Sequence, residues 1–87
     1  MKKKSVTFSL FAPQARSVCL AGSFNNWKSE QTPMKKDRKG NWALKLDLVP
    51  GRYEYRFWVD GAWQNDPNPV ECVPNAFGTW NSVVEVI

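Results

Sequence analysis

A chain of 87 residues with 43% apolar content can bury one small hydrophobic core, and so forms one domain. Its formal charge of +4 owes most to the run Lys2-Lys3-Lys4; without that run, nine basic residues face eight acidic ones, which argues against a nucleic-acid-binding surface. No apolar run is long enough for a signal peptide or a membrane span, so a cytoplasmic protein with no membrane partner is expected.

Residues 1–4 read as a basic, solvated tail and residues 5–87 as a single domain. Residues 5–11 alternate, with Val6, Phe8 and Leu10 against Thr7, Ser9 and Phe11, and predict a first strand. Ala12-Pro13-Gln14-Ala15 ends it, because Pro13 lacks a ladder donor and restricts the residue before it. Residues 17–21 predict a second strand, with Val18 and Leu20 facing inward. Gly22-Ser23-Phe24-Asn25-Asn26-Trp27 then has the composition of a turn, yet it carries two large rings. Such rings are either anchors tucked beneath the loop or exposed for a reason.

From residue 28 to residue 40 the chain is polar and basic. Pro33-Met34 is expected to touch back onto the core, and Asp37-Arg38-Lys39-Gly40 to form a hairpin connection. Residues 41–48 alternate again, with Trp42, Leu44, Leu46 and Leu48 on one face and Ala43, Lys45 and Asp47 on the other. Pro50-Gly51 turns the chain into its longest strand, residues 52–59. Tyr53, Tyr55, Phe57 and Val59 share one face of that strand; Arg52, Glu54, Arg56 and Trp58 share the other. Asp60-Gly61 supplies the positive φ angles of a two-residue hairpin, with Trp63 just beyond. Residues 65–78, with Pro67, Pro69 and Pro74, predict a stiff excursion over the surface, and residues 79–87 a closing strand. No segment of ten residues shows a helical period. Short strands with turn signals every eight to twelve residues predict an all-β sandwich, immunoglobulin-like in type, with nothing left over for a second domain.

The chain is poorly equipped for catalysis. It has no His, so neither Cys19 nor Cys72 has an imidazole partner, and a zinc site is not expected. The two cysteines are expected to be free, mostly buried thiols, with a disulfide between them left open. Paired carboxylates can hydrolyse glycosides, but Asp60 is accounted for as a turn residue and Asp66-Pro67 as a loop breaker. No enzyme activity, metal or cofactor is therefore expected. The aromatic residues are more telling, since five Trp exceed what a small core needs. Trp42 reads as core, and Trp80 more as core than surface. Trp58, on the outward face, covers the sheet or packs beneath the Pro-rich loop. Trp27 and Trp63 occupy turn-like, polar settings. They either fold under their loops or form a flat platform for a ring-shaped ligand.

Four stretches, in this order and spacing, resemble carbohydrate-binding module family 48: Gly22-Ser23-Phe24-Asn25-Asn26-Trp27; residues 51–63; Asp66-Pro67; and Pro74-Asn75-Ala76-Phe77-Gly78-Thr79-Trp80-Asn81. This is the glycogen-binding domain type of the AMP-activated protein kinase β subunit, also found as an N-terminal domain of branching and debranching enzymes. The resemblance runs over residues 6–87. It implies an early-set immunoglobulin-like sandwich that binds α-1,4-linked glucans such as glycogen or starch. Carried over position by position, it implies sugar-stacking platforms at Trp27 and Trp63 and hydrogen-bonding roles for Thr79 and Asn81. Arg56 stands where the family often has Lys, and Phe77 where the kinase domain has a Leu that reaches into the ring of a curved glucan. Pyranose C–H faces are apolar and cover an indole well, whereas hydroxyls need directional donors and acceptors. Arg56 is forked and planar rather than a point charge, and Phe77 is bulky enough to stack on a sugar face. A different reading has the exposed aromatics meet a protein partner, such as a glycan-active enzyme or a kinase, in a packing module without sugar binding. Single-stranded nucleic acid held by the aromatics and residues 35–39 is disfavoured by the near-neutral charge of residues 5–87.

Overall fold

A computed structural model describes residues 2–68 and 70–87; Met1 of the basic tail and Pro69 of the Pro-rich loop lie outside the described residues. Among the described residues, eight antiparallel strands form two sheets that face each other. In chain order they are β1 (Lys4–Phe11), β2 (Val18–Gly22), β3 (Lys35–Lys36), β4 (Asn41–Leu48), β5 (Gly51–Val59), β6 (Ala62–Gln64), β7 (Cys72–Pro74) and β8 (Trp80–Val86). One sheet runs β1-β4-β3. The other runs β2-β5-β8-β7, with β6 paired to the far end of β5. Two antiparallel sheets packed this way make the expected immunoglobulin-like sandwich.

The inward faces follow the alternation in the sequence. Phe8, Leu10 and Trp42 from the first sheet meet Val18, Leu20, Tyr55 and Phe57 from the second, all buried. Trp42 is core, as its strand position implies, and its indole N–H donates to the Ala12 carbonyl at 3.0 Å, so the ring is buried without an unsatisfied donor. Phe8 meets Tyr55 edge-on at 5.0 Å, and Tyr55 meets Phe57 the same way at 5.9 Å. Met34 is buried, and Asp37 carries the hairpin connection by taking the N–H groups of Lys39 and Asn41 on one carboxylate oxygen. Those bonds hold the Asp37 carboxyl below the usual carboxylate range.

Several expectations need correction. Lys4 already belongs to β1, and the last strand starts at Trp80, leaving Thr79 in the preceding turn. Pro50-Gly51 carries the chain from one sheet to the other, because β4 pairs with β1 whereas β5 pairs with β2 and β8. Two short strands, β3 and β7, sit inside segments read as loops. Trp80 is not core: 53% of it is exposed, opposite the exposed Pro74 in the β7–β8 pair. The thiols are free, but Cys72 is exposed and Cys19 half-buried. Burial pushes the Cys19 thiol up, with the charge of Glu30 adding to the effect.

Candidate functional site

β5 carries the site on its outward face. Arg56 and Trp58 alternate with the buried Tyr55 and Phe57, so a single strand builds core on one side and surface chemistry on the other. At its end Asp60 and Gly61 adopt φ angles of 49° and 85°, the left-handed pair that a two-residue hairpin demands. The Asp60 carboxylate also takes the backbone N–H groups of Arg16 and Ser17 at 2.9 and 2.8 Å, tying the β1–β2 connection to the turn. The hairpin sets Trp63 directly opposite Trp58, with the two rings edge-to-face at 4.8 Å. Trp58 is half-buried and props up Trp63, which is 40% exposed.

The loop after β2 brings in Trp27. Its two rings divide the alternatives left open by sequence: Phe24 tucks against Phe8 (5.8 Å) and Tyr53 (6.3 Å) as an anchor, whereas Trp27 lines the site. Asn25 staples this loop. Its amide donates to the Leu20 carbonyl and the Thr32 hydroxyl, and its carbonyl oxygen accepts the Gly22 N–H. Gly22 must be glycine here, since a Cβ would run into the Glu54 carbonyl and lie 2.7 Å from the Phe24 ring. Trp27 sits at φ 59°, with its N–H bonded to the Gly22 carbonyl, and its indole meets Trp63 at 6.3 Å and 74°. The half-buried Trp27 indole and the exposed Trp63 indole thus stand nearly at right angles, forming a corner.

The third contribution is the turn between β7 and β8. Phe77 projects from it at 90% exposure, and Thr79 and Asn81 flank it. Arg56 bridges the parts. Its Nε donates to Asn65 at 2.7 Å, its Nη1 to the Thr79 hydroxyl at 3.3 Å, and its guanidinium lies 5.7 Å from the Trp63 ring centre. Asn81, only 7% exposed, forms the floor and donates to Glu54 at 3.0 Å.

Trp27, Arg56, Trp63, Phe77, Thr79 and Asn81, drawn from three separated stretches of chain, all line one open cleft of about 570 Å³. Asn75 completes the lining. Sequence reasoning missed Asn75, although an Asn two residues before the tip of a Gly-containing turn is a known turn signal. It also gave Trp58 no part in the site, although the hairpin register across Asp60-Gly61 sets that residue opposite Trp63. Among the described residues no carboxylate or thiol lines the cleft. Asp66 is engaged elsewhere, accepting the Tyr55 hydroxyl at 2.6 Å; burial and that bond push the Tyr55 phenol far above its ordinary range. Among the described residues no group of three potential metal ligands occurs.

An antiparallel sandwich bearing an open, aromatic-walled cleft with one cation and neutral amides is laid out to hold a neutral, ring-containing polymer. Comparison with known proteins agrees. The family model described as the glycogen recognition site of AMP-activated protein kinase matches residues 6–87. The rice protein FLOURY ENDOSPERM 6, chloroplastic, is 43% identical over 60 residues, covering 69% of this chain and 11% of the rice protein. Human 5'-AMP-activated protein kinase subunit beta-1 is 39% identical over 71 residues, covering 82% of this chain and 25% of that subunit. Arabidopsis PTST homolog 2, chloroplastic, is 48% identical over 62 residues, covering 70% of this chain and 12% of the relative. The chain therefore belongs to the glycogen-recognition-site family of carbohydrate-binding module 48. The domain is a non-catalytic module of the glycogen- and starch-binding kind. It spans only about a tenth to a quarter of the length of these curated relatives.

Proposed function

We propose that the chain holds an α-1,4-glucan across the cleft, with glucose rings stacked on Trp27 and Trp63. Arg56 and Thr79 bond the hydroxyls, Asn81 supports them from the floor, and Phe77 forms a rim that covers one sugar face. The observation that carries this reading is the convergence of all six residues on one open, carboxylate-free cleft. Stacking an indole on the apolar face of a pyranose removes apolar area from water without ordering any long side chain. Arg56 retains unused guanidinium donors after its bonds to Asn65 and Thr79, and a sugar hydroxyl can accept from them.

Bound to a glycan-active enzyme or a kinase, this domain would bring that partner to its polymer. The exposed Trp80 favours a second role, packing against such a partner from outside the cleft. Two unpaired thiols suit a reducing compartment, and we place the protein in the cytoplasm, although the two plant relatives are chloroplastic. Nucleic acid and membrane are not partners in this reading.

The test is a titration with β-cyclodextrin and with glycogen, followed by Trp fluorescence. Saturable binding with a shifted emission is expected. A folded chain that binds neither glucan would overturn the reading and leave the packing role.

A further inference from the structure

Asn75 lines the cleft, yet its carboxamide has no free valence for a ligand. Its Nδ2 donates to the Thr79 hydroxyl at 2.8 Å and to Asn81 Oδ1 at 3.0 Å. Its Oδ1 accepts the backbone N–H of Phe77 at 3.0 Å and of Thr79 at 3.2 Å, with the Thr79 hydroxyl 3.1 Å from the same oxygen. Its own backbone N–H donates to the Thr79 carbonyl at 3.0 Å, closing the turn. A carboxamide offers two N–H groups and two lone pairs, so these bonds saturate it.

The sense of these bonds is set from outside the turn. A carboxylate only accepts, so Asn81 presents its Nδ2 to Glu54 Oε1, at 3.0 Å. That turns Asn81 Oδ1 toward Asn75, which must answer with its own Nδ2. Asn75 Oδ1 is then left for the two backbone N–H groups that shape the turn around Phe77. A chain of directed bonds thus runs from β5, through β8, into the loop that carries the most exposed ring of the site. Gly78, at φ 79°, lets the backbone close that turn.

We propose that Asn75 is a positioning residue: oriented by Glu54 through Asn81, it holds the Phe77 rim in its ligand-ready place and never touches the sugar. The inference rests on the glucan reading of the cleft. Ordering a bulky side chain before binding removes an entropic loss that would otherwise fall on association, and such a loss is worth about tenfold in affinity.

The experiment compares the parent with Asn75→Ala, Phe77→Ala and the double variant, using β-cyclodextrin affinity by calorimetry and ¹⁵N relaxation of the free proteins. In Asn75→Ala, order parameters of residues 76–78 should fall to below about 0.6 while the strands stay rigid. Affinity, measured well below the melting temperature of each variant, should drop about tenfold. If Asn75 acts through Phe77, removing it from the Phe77→Ala chain should cost much less than removing it from the parent. Asn75→Asp keeps the acceptor of the Phe77 and Thr79 N–H groups but loses both donations, and should fall between Asn75→Ala and the parent. Affinity within twofold of the parent, a loss additive with Phe77→Ala, or an unchanged loop would each overturn the positioning role. A folded parent that binds no cyclodextrin would instead overturn the glucan reading itself.

Discussion

Trp63→Ala tests the platform most directly, and its size can be worked from the structure. Trp63 leaves 40% of its surface exposed. For a side chain of about 250 Å², that is roughly 100 Å² available to a stacked sugar. At about 25 cal/mol per Å², covering all of it is worth about 2.5 kcal/mol, and covering half is worth about 1.2. The variant should therefore bind β-cyclodextrin about 10- to 70-fold more weakly. Stability must be separated from binding, because the buried part of the indole packs edge-to-face on Trp58 and beside Trp27. Losing those contacts should lower unfolding free energy by about 1–2 kcal/mol, a fraction of the roughly 4–13 kcal/mol expected for a domain of this length. Calorimetric titration well below the melting temperature, with a urea curve on the same preparation, reads both quantities. Trp63→Phe, which retains a smaller ring, should recover part of the affinity. A folded Trp63→Ala chain with affinity within twofold of the parent would refute the stacking argument, however the stability had moved.

Other substitutions probe the rest of the site and its frame. Arg56→Lys keeps the charge but loses the fork that reaches Asn65 and Thr79 together, so cyclodextrin affinity should fall about threefold, against tenfold or more for Arg56→Ala. Equal affinities for the two variants would show that the charge retained by Lys does nothing there. Gly22→Ala should destabilise the fold by about 1–3 kcal/mol in urea, because the new methyl meets the Glu54 carbonyl and the Phe24 ring; an unchanged midpoint would mean the strand shifts freely. Alkaline pH should also destabilise. Burial, and then the bond to Asp66, raise the folded-state pKa of Tyr55, whereas an unfolded tyrosine ionises at about 10. The resulting stability is fully present below that pH and declines as pH rises beyond it. Urea midpoints at pH 8 and 11 should show the loss, and Tyr55→Phe should shrink it.

The strands were legible wherever one face is buried and the other wet. Residues 41–48 read as a strand from alternation alone and form β4 with those bounds, and the long strand was off by a single residue at Gly51. β3 and β7 were not legible. Lys35–Lys36 and Cys72–Pro74 have no pattern of their own and are strands only because β4 and β8 offer them an edge. Trp80 shows a different limit. Alternation puts it on the same side of β8 as the fully buried Ser82, yet it is half exposed. Periodicity tells which side a residue takes, not how far the facing sheet extends to cover it.

The same distinction separates the two halves of the candidate site. Arg56 and Trp58 follow from strand parity, and Trp63 from a hairpin whose register Asp60-Gly61 fixes, so local rules could group them. Trp27 and Phe77 come from loops whose direction depends on particular bonds, Asn25 to Leu20 and Thr32 in one case, Asn75 to Asn81 and Thr79 in the other. Such bonds leave no periodic trace: a ring in a polar turn left Trp27 open between anchor and platform, and only the resemblance to a known family pointed to Phe77. The residues that hold the loops were invisible for the same reason. An Asn whose four valences close on its own neighbourhood looks, in a sequence, like any other turn residue. A site built by a strand and two stapled loops is thus readable at its centre and hidden at its rim.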